Sequence, residues 1–477
     1  MIPSSPSPTC PFHADAPSPV RAPHPPGAWP PGPRSGLTGW GLLKRMSRDL
    51  PGTLAAWKRE FGDVVHLRIW PEHQVVVTDP ALVRELLVGH HDALIRWERG
   101  MRVFTGLQGR SVFTAEGESW RVRRHALQPA FQPGAVQAFV PAMAAAAAAA
   151  QALAGWPAGG ASVAVESAFT AVTMEVILRM VFSGTAGDDA RLAADAVPTL
   201  LRAANAELYW PASWPDRMPW KRTKRRSLAM LRGMVDRHVG ARLRLAAEDW
   251  PDDLLTRLLR LHRDDAASWP LRTVGDECMT IILAGHETAA ATLAWWAWCM
   301  AANPAAQADA REEVRRVLGG RPPAADDLPA LRLVTQTLKE TMRLYPAAPV
   351  LNSRRITRPI TLGPWHLPAR TMVLVPVQAI QHDPRWFPEP LAFRPERFAP
   401  GAPAVPRGAY LPFGAGPRIC LGQHLAMAEM TVIAAMVLQR VVLSVPAGMA
   451  PPRPVMALSL RPDRPLHLAL SPVPTGD

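Results

Sequence analysis

Cysteine is scarce in this chain: Cys10, Cys278, Cys299 and Cys420 are the only four in 477 residues. So few thiols build no disulfide framework. The first 30 residues also lack a basic-then-apolar run, which speaks against a secretory signal and for a reducing, cytoplasmic setting. Each thiol must then be core, ligand or nucleophile. Acids are in deficit too, 40 against 53 Lys and Arg, for a net charge of +13. The plain reading of that excess is a solvated, arginine-rich surface. The sharper reading is a basic face for an acidic protein partner. Nucleic acid is disfavoured, because the basic residues are dispersed outside Lys221 to Arg226 and no binding motif accompanies them. One apolar run, Cys278 to Ala302, has the length of a membrane span. His286 and Glu287 interrupt it with groups that are costly in lipid, so it reads as a helix inside a large core.

Proline, in contrast, is abundant at the start. Residues 1–33 hold 12 of the 52 prolines, a composition that suits an extended arm, and residues 34–477 are expected to form a single domain. "LPGTLAAWKREFG" reads as a short helix ending at Gly62. "DVVHLRIW" and "HQVVVTD" are β-rich runs that predict a hairpin. "DPALVRELL" predicts a helix capped by Asp79 with Pro80 at its first position. From Pro133 to Ala302 the chain is mostly helical, including the alanine run Ala144 to Ala150, with a loop from Trp210 to Trp220. Another helix ends at Pro346, and "ITLGPWHLPARTMVLVPVQAI" supplies short strands. No repeat occurs at solenoid periods. The expected fold is mainly α with small β-sheets.

Chemistry is concentrated in three places. The first is "FGAGPRICLG", Phe413 to Gly422. Its glycines permit tight turns, and Cys420 is expected at the start of the following helix. Backbone N–H groups and the helix dipole there favour a thiolate. Arg418 can pair with an anionic group beside it. A phosphate loop would need Gly-Lys-Ser/Thr, and a dinucleotide fingerprint would need glycine at Ile419. Zinc would need more ligands than nearby His424 supplies. A single thiolate remains, with a cofactor that brings its own further ligands, as haem does.

The second place is "AGHETAA", Ala284 to Ala290, inside the apolar helix. Gly285 predicts close approach by a ligand or another backbone. Glu287 and Thr288 set an acid beside a hydroxyl. Thr288 can simply bond back one turn and bend the helix, and that is compatible with a role in proton handling. The third is Glu340 and Arg343 at i,i+3, a weak surface pair unless Arg397 of "FRPERF" joins it in a buried network.

Together these stretches resemble the cytochrome P450 haem-thiolate monooxygenases of the soluble bacterial type, in the family's own order, from about Pro31 to the C-terminus. "WRVRR", Trp120 to Arg124, and Arg354 of "NSRRIT" extend the resemblance. It implies a P450 fold with the haem between the long central helix and the helix after the cysteine loop. Cys420 would be the axial ligand to iron. Phe413 would shield the haem's proximal face, and Trp120, Arg124, Arg354 and Arg418 would anchor propionates. Thr288 with Glu287 would deliver protons at the oxygen site. Glu340, Arg343 and Arg397 would be structural. Peroxide-using relatives replace the acid–alcohol pair by Arg-Pro; the intact Glu287-Thr288 favours O2 plus two electrons. Implied cofactors are haem b (iron protoporphyrin IX), O2 as co-substrate and NAD(P)H through redox partners. Nothing resembling a membrane anchor, flavin domain or iron–sulfur domain accompanies the motifs. A ferredoxin or flavodoxin with its reductase is therefore expected, docking at Arg121, Arg123 and the basic residues round the cysteine loop of a monomer. Segments Arg96 to Phe113, Ile281 to Ala284 and Val350 to Asn352, with the region near Trp210, would line a pocket for an apolar small molecule. The expected outcome is hydroxylation or epoxidation. C–C cleavage, desaturation and oxidative coupling stay open, as does a haem protein that binds ligand without turnover.

Overall fold

The computed structural model describes residues 29–149, 156, 162–183, 187–209 and 214–473. The expectations for residues 1–28, Ala150 and Trp210 lie outside these. The chain begins with α1 (Trp40–Arg48) and α2 (Leu50–Phe61), then a hairpin of β1 (Val64–Ile69) and β2 (Glu72–Val77). Pairing of Val64 with Val77 and Val65 with Val76 sets the register. Side chains alternate between faces along a strand, so Val65, Leu67 and Val76 pack on Trp57 and Leu54. Val64, Val75 and Val77 face the other way, onto Val83 and Leu86. Residues 29–33 lie against this hairpin: Trp29 stacks on His66 at 4.3 Å, and the Pro31 carbonyl accepts the His66 N–H at 3.0 Å.

Asp79 caps α3 (Pro80–Arg84) by accepting the Leu82 N–H at 3.0 Å. The α-helix does not run on to Leu87; it passes into a π turn at Glu85–Gly89. Next come β3 (Leu94–Arg96), α4 (Glu98–Gln108), α5 (Gly117–Leu127), α6 (Pro133–Ala149), β4 (Ser162–Ala164), α7 (Val165–Phe182), α8 (Gly187–Tyr209), α9 (Arg222–Leu243) and α10 (Leu254–Asp264). The 32-residue α11 (Leu271–Ala302) crosses the centre. After it come α12 (Pro304–Leu318) and α13 (Arg332–Leu344). Four short strands follow: β5 (Arg354–Ile356), β6 (Ile360–Leu362), β7 (Trp365–Leu367) and β8 (Met372–Leu374). The chain ends in α14 (Val377–Gln381), α15 (Gln423–Arg440), β9 (Val441–Ser444), β10 (Pro454–Ala457), β11 (Ser459–Pro462) and β12 (His467–Pro472). The principal sheet runs β1-β2-β8-β5-β3, so strands from both halves of the chain close one layer.

Helix α11 is apolar on nearly all sides and is buried accordingly. Two of its three indoles pair deep in the core: Trp295 Nε1 donates to the Leu460 carbonyl and Trp296 Nε1 to the Thr337 hydroxyl, each at 2.9 Å. Cys278 and Cys299 lie within it, and burial raises both thiols far from ionisation. They are core. No described helix is long and apolar enough to cross a membrane.

Candidate active site

The cysteine loop is a run of turns between Tyr410 and α15. Gly416 sits at φ +73°, and a Cβ there would lie 2.1 Å from the Leu87 carbonyl oxygen. Only glycine lets the loop press so closely on the π turn. Ile419 N–H donates to the Gly416 carbonyl at 3.0 Å, and Cys420 N–H to the Phe413 carbonyl at 2.9 Å. The phenyl ring of Phe413 packs, half-buried, on the main core. One expectation needs correction: Cys420 does not open the helix. α15 starts at Gln423 with Gly422 as its cap, because the chain is still turning at Leu421 and Gly422. Burial raises the Cys420 thiol, and the Gly422 N–H and the Arg124 charge offset this only in part. A metal cation at Sγ would favour the thiolate. The side chain is accessible although protein atoms crowd it.

Four guanidinium groups influence one another beside this loop. Arg418 stacks over the Trp120 ring at 4.0 Å, donates to the Ala115 carbonyl at 2.9 Å and pairs with Glu116. Arg124 donates to the Ile419 carbonyl at 3.0 Å. Arg354 bonds the Asn352 carbonyl, whereas adjacent Arg355 turns away to Glu72 and Glu98. Arg96 is 8% exposed, and its Nε and Nη1 have no partner among the described residues. Burial pushes Arg96 well below its ordinary pKa, and the charges of Arg418 and Arg354 push it further. Glu116 is the nearby counter-charge. An anion held between these cations removes the conflict. Two carboxylates, such as haem carries, suit the donor set, so the residues present fit the group. Sequence reading had placed Arg96 only at the edge of a substrate loop and had missed Glu116. Their partners lie up to 302 residues away, and nothing local marks them.

On α11, Ala284 and Thr288 are accessible although the residues around them in the helix are buried. They are one turn apart and share a face, so that face carries an uncovered strip of the helix. The Thr288 hydroxyl donates to the Ala284 carbonyl at 3.1 Å, and the helix continues unbroken. Gly285 serves helix packing: a Cβ there would meet Ile177 Cδ1 of α7 at 2.8 Å. Glu287 is buried on a different face, about 100° round from Thr288. Burial raises its carboxyl, but attraction and hydrogen bonds from Arg461 and the Ser459 hydroxyl outweigh this and hold it below its ordinary value.

The third group of residues does come together. Glu340 and Arg343 are both fully buried and joined by two 2.8 Å bonds. Arg397 Nε reaches Glu340 at 3.3 Å. Arg343 also donates to the carbonyls of Gln381, Pro390 and Ala392. At the start of α11, Asp276 accepts the Arg110 N–H at 2.9 Å and Glu277 accepts the Val112 N–H, clasping the loop after α4. Arg123 turns inward to Glu277 at 2.9 Å, so it is not free for docking, while Arg121 is exposed.

Glu429 of α15 is buried, its Oε1 has no partner among the described residues, and burial pushes its carboxyl up to about 8. From about 4.5 to about 8 the unfolded chain releases a proton that the folded chain keeps. Stability contributed at this site therefore falls as pH rises through that window. Glu429→Gln is expected to flatten this slope and to stabilise the protein on the alkaline side. Denaturant melts across the pH range check it; an unchanged slope would remove Glu429 as its source.

An accessible thiol beside clustered arginines is an arrangement that could hold haem through a single thiolate. The comparisons give the family. The cytochrome P450 family profile matches residues 30–469, and the chain belongs to that family. It is 33% identical over 409 residues to cyclooctat-9-en-7-ol 5-monooxygenase of Streptomyces melanosporofaciens, covering 81% of this chain and 86% of that one. It is 30% identical over 398 residues to putative cytochrome P450 132 of Mycobacterium tuberculosis, covering 79% and 84%. LUTEIN DEFICIENT 5 of Arabidopsis thaliana, a chloroplastic protein, is 29% identical over 418 residues, covering 82% and 69%. The protein is an oxidoreductase of the monooxygenase type.

Proposed function

We propose that the protein inserts one oxygen atom from O2 into an apolar small molecule, by hydroxylation or epoxidation, with electrons from NAD(P)H through a separate ferredoxin or flavodoxin and its reductase. When bound, haem supplies O2 activation. Cys420 would hold it from the loop, and Arg96, Arg124, Arg354 and Arg418 would bind its carboxylates, with Trp120 bracing Arg418. The observation that carries the reading is the accessible Thr288 hydroxyl in an otherwise buried stretch of α11. A hydroxyl there can hold a water and pass a proton at Oγ1, while the apolar wall excludes bulk solvent. Glu287 is the adjacent carboxylate that would relay protons towards it. The substrate named for the Streptomyces relative, cyclooctat-9-en-7-ol, is a largely hydrocarbon alcohol. A substrate of similar character suits the apolar segments expected to line the pocket.

Thr288→Ala is expected to keep haem and substrate binding but to divert electrons to free hydrogen peroxide. Product per NAD(P)H should fall on the order of tenfold or more. Parallel assays of product, peroxide and NAD(P)H check this with a surrogate redox pair. Full coupling in the variant would take the proton role from Thr288.

A further inference from the structure

A cleft of about 430 Å³ lies between α13 and the proline-rich segment that leads into the cysteine loop. None of the residues expected to hold haem lines it. Lys339, Arg397 and Arg407 do, and no acid does. The walls are otherwise apolar, with Phe398, Val405 and Tyr410 among them, and the Phe398 and Tyr410 rings stand 4.9 Å apart. Two contacts fix the walls. The Tyr410 hydroxyl donates to the Lys339 carbonyl at 3.0 Å. Gly408, at φ +95°, presses on α3, where a Cβ would lie 2.3 Å from the Pro80 carbonyl oxygen. Charge at the cleft is out of balance. Glu340 accepts from Arg343 and from Arg397, one carboxylate for two guanidinium groups. Arg394, whose charge also acts on Arg397, is paired with Glu389 and Glu396. Burial lowers Arg397 below its ordinary pKa; Glu340 opposes this, and Arg343 and Arg394 reinforce it. The Arg397 side chain is 11% exposed, with Nε on Glu340 and Nη2 on the Glu389 carbonyl, and its Nη1 has no partner among the described residues. Lys339 is half-buried and Arg407 exposed, and neither side chain has an ionic or hydrogen-bonded partner there.

We propose that this cleft binds a small organic anion, a carboxylate on a compact aromatic or aliphatic body. The carboxylate would meet Arg397 Nη1, Lys339 and Arg407, and the body would lie on Phe398, Val405 and Tyr410. Depth favours a small molecule over a protein surface: Arg397 is too enclosed for a flat partner to touch, and a single carboxylate entering the cleft reaches it. The bound anion supplies the second counter-charge that Glu340 alone does not, and leaves Glu340 to Arg343. Occupancy therefore stabilises the network beside the cysteine loop. The site is separate from the oxygen chemistry proposed above and does not rest on it.

The test titrates the haem-loaded enzyme with cinnamate, cinnamamide and inorganic phosphate, by calorimetry and by thermal melts. Cinnamate should bind saturably and raise Tm by about 2–3 °C at a hundredfold excess over its Kd. The amide keeps the body without the charge, and phosphate the charge without the body. Each should bind more weakly by on the order of tenfold. Lys339→Met and Arg407→Met should each lower cinnamate affinity about three- to tenfold, and Lys339→Arg should restore it. Ala402→Trp should fill the cleft without touching a charge, which keeps the test open if a charge variant folds poorly. Arg59→Gln, which removes an exposed basic side chain on α2, is the control and should bind as wild type. Absence of saturable cinnamate binding, or equal binding of the amide, overturns the proposal. Equal binding of phosphate overturns it too and makes the cleft a place for an adventitious ion only. Cinnamate that shifts the haem spectrum and ignores these variants is bound in the substrate pocket, and the proposal fails. It also fails if the variants leave cinnamate binding intact but raise the redox partner's apparent KM, since the basic residues then belong to a protein-docking face.

Discussion

Cys420→Ser is expected to lose the red-shifted absorption of the reduced, CO-bound protein and all monooxygenase turnover. The change replaces one sulfur by oxygen. The loop itself is closed by backbone bonds, Cys420 N–H to Phe413 and Ile419 N–H to Gly416, and neither uses the thiol. Gly416 keeps its contact with Leu87. The loop should therefore survive, and the loss should come from the ligand's electron donation, which favours O–O cleavage. Neither Cys278 nor Cys299 can substitute, since both are buried in α11. The measurement is the CO difference spectrum normalised to haem content. A persisting thiolate band in the variant would assign the ligand elsewhere.

Glu340→Gln should be the most damaging change away from the cysteine, with a loss of about 3–5 kcal/mol of stability. Arg343 is wholly buried, so removing its counter-charge strands a cation without solvent. Its bonds to Gln381, Pro390 and Ala392 remain, but they are dipoles and do not replace a charge. Gln381 also accepts the Leu411 N–H at 2.9 Å, just ahead of the cysteine loop. Haem retention should therefore fall along with stability. Urea melts and haem content after gel filtration read both effects. Glu118→Gln, which breaks the exposed Arg121 pair, is the control and should change neither. Equal effects in the two variants would place Glu340 among ordinary surface acids.

Much of this is legible in the sequence itself. The hairpin of β1 and β2 was readable because alternating valines and the intervening "PE" are local signals. Asp79 was readable as a cap for the same reason. The Glu340 network was partly so: the i,i+3 spacing is visible, but its depth depended on Arg397, 57 residues on. What could not be read were contacts that only the fold creates. The unpartnered nitrogens of Arg96, the pairing of Arg418 with Glu116 and the inward turn of Arg123 have no signature in nearby residues. The helix start at Gln423 was misplaced because a turn and a first helical turn both accept glycine. Gly285 was read as allowing close approach by a ligand or another backbone, and the neighbour is the Ile177 side chain of α7.

The clasp between Glu287 and β11 also orders events during synthesis. Ser459 lies 172 residues after Glu287 in the chain. At typical elongation rates that separation is about 10–35 s. Throughout that interval α11 has emerged, and its acid has no Arg461 to neutralise it. Until then, burying that acid means keeping it protonated, so the last hairpin to be made also completes the middle of the protein.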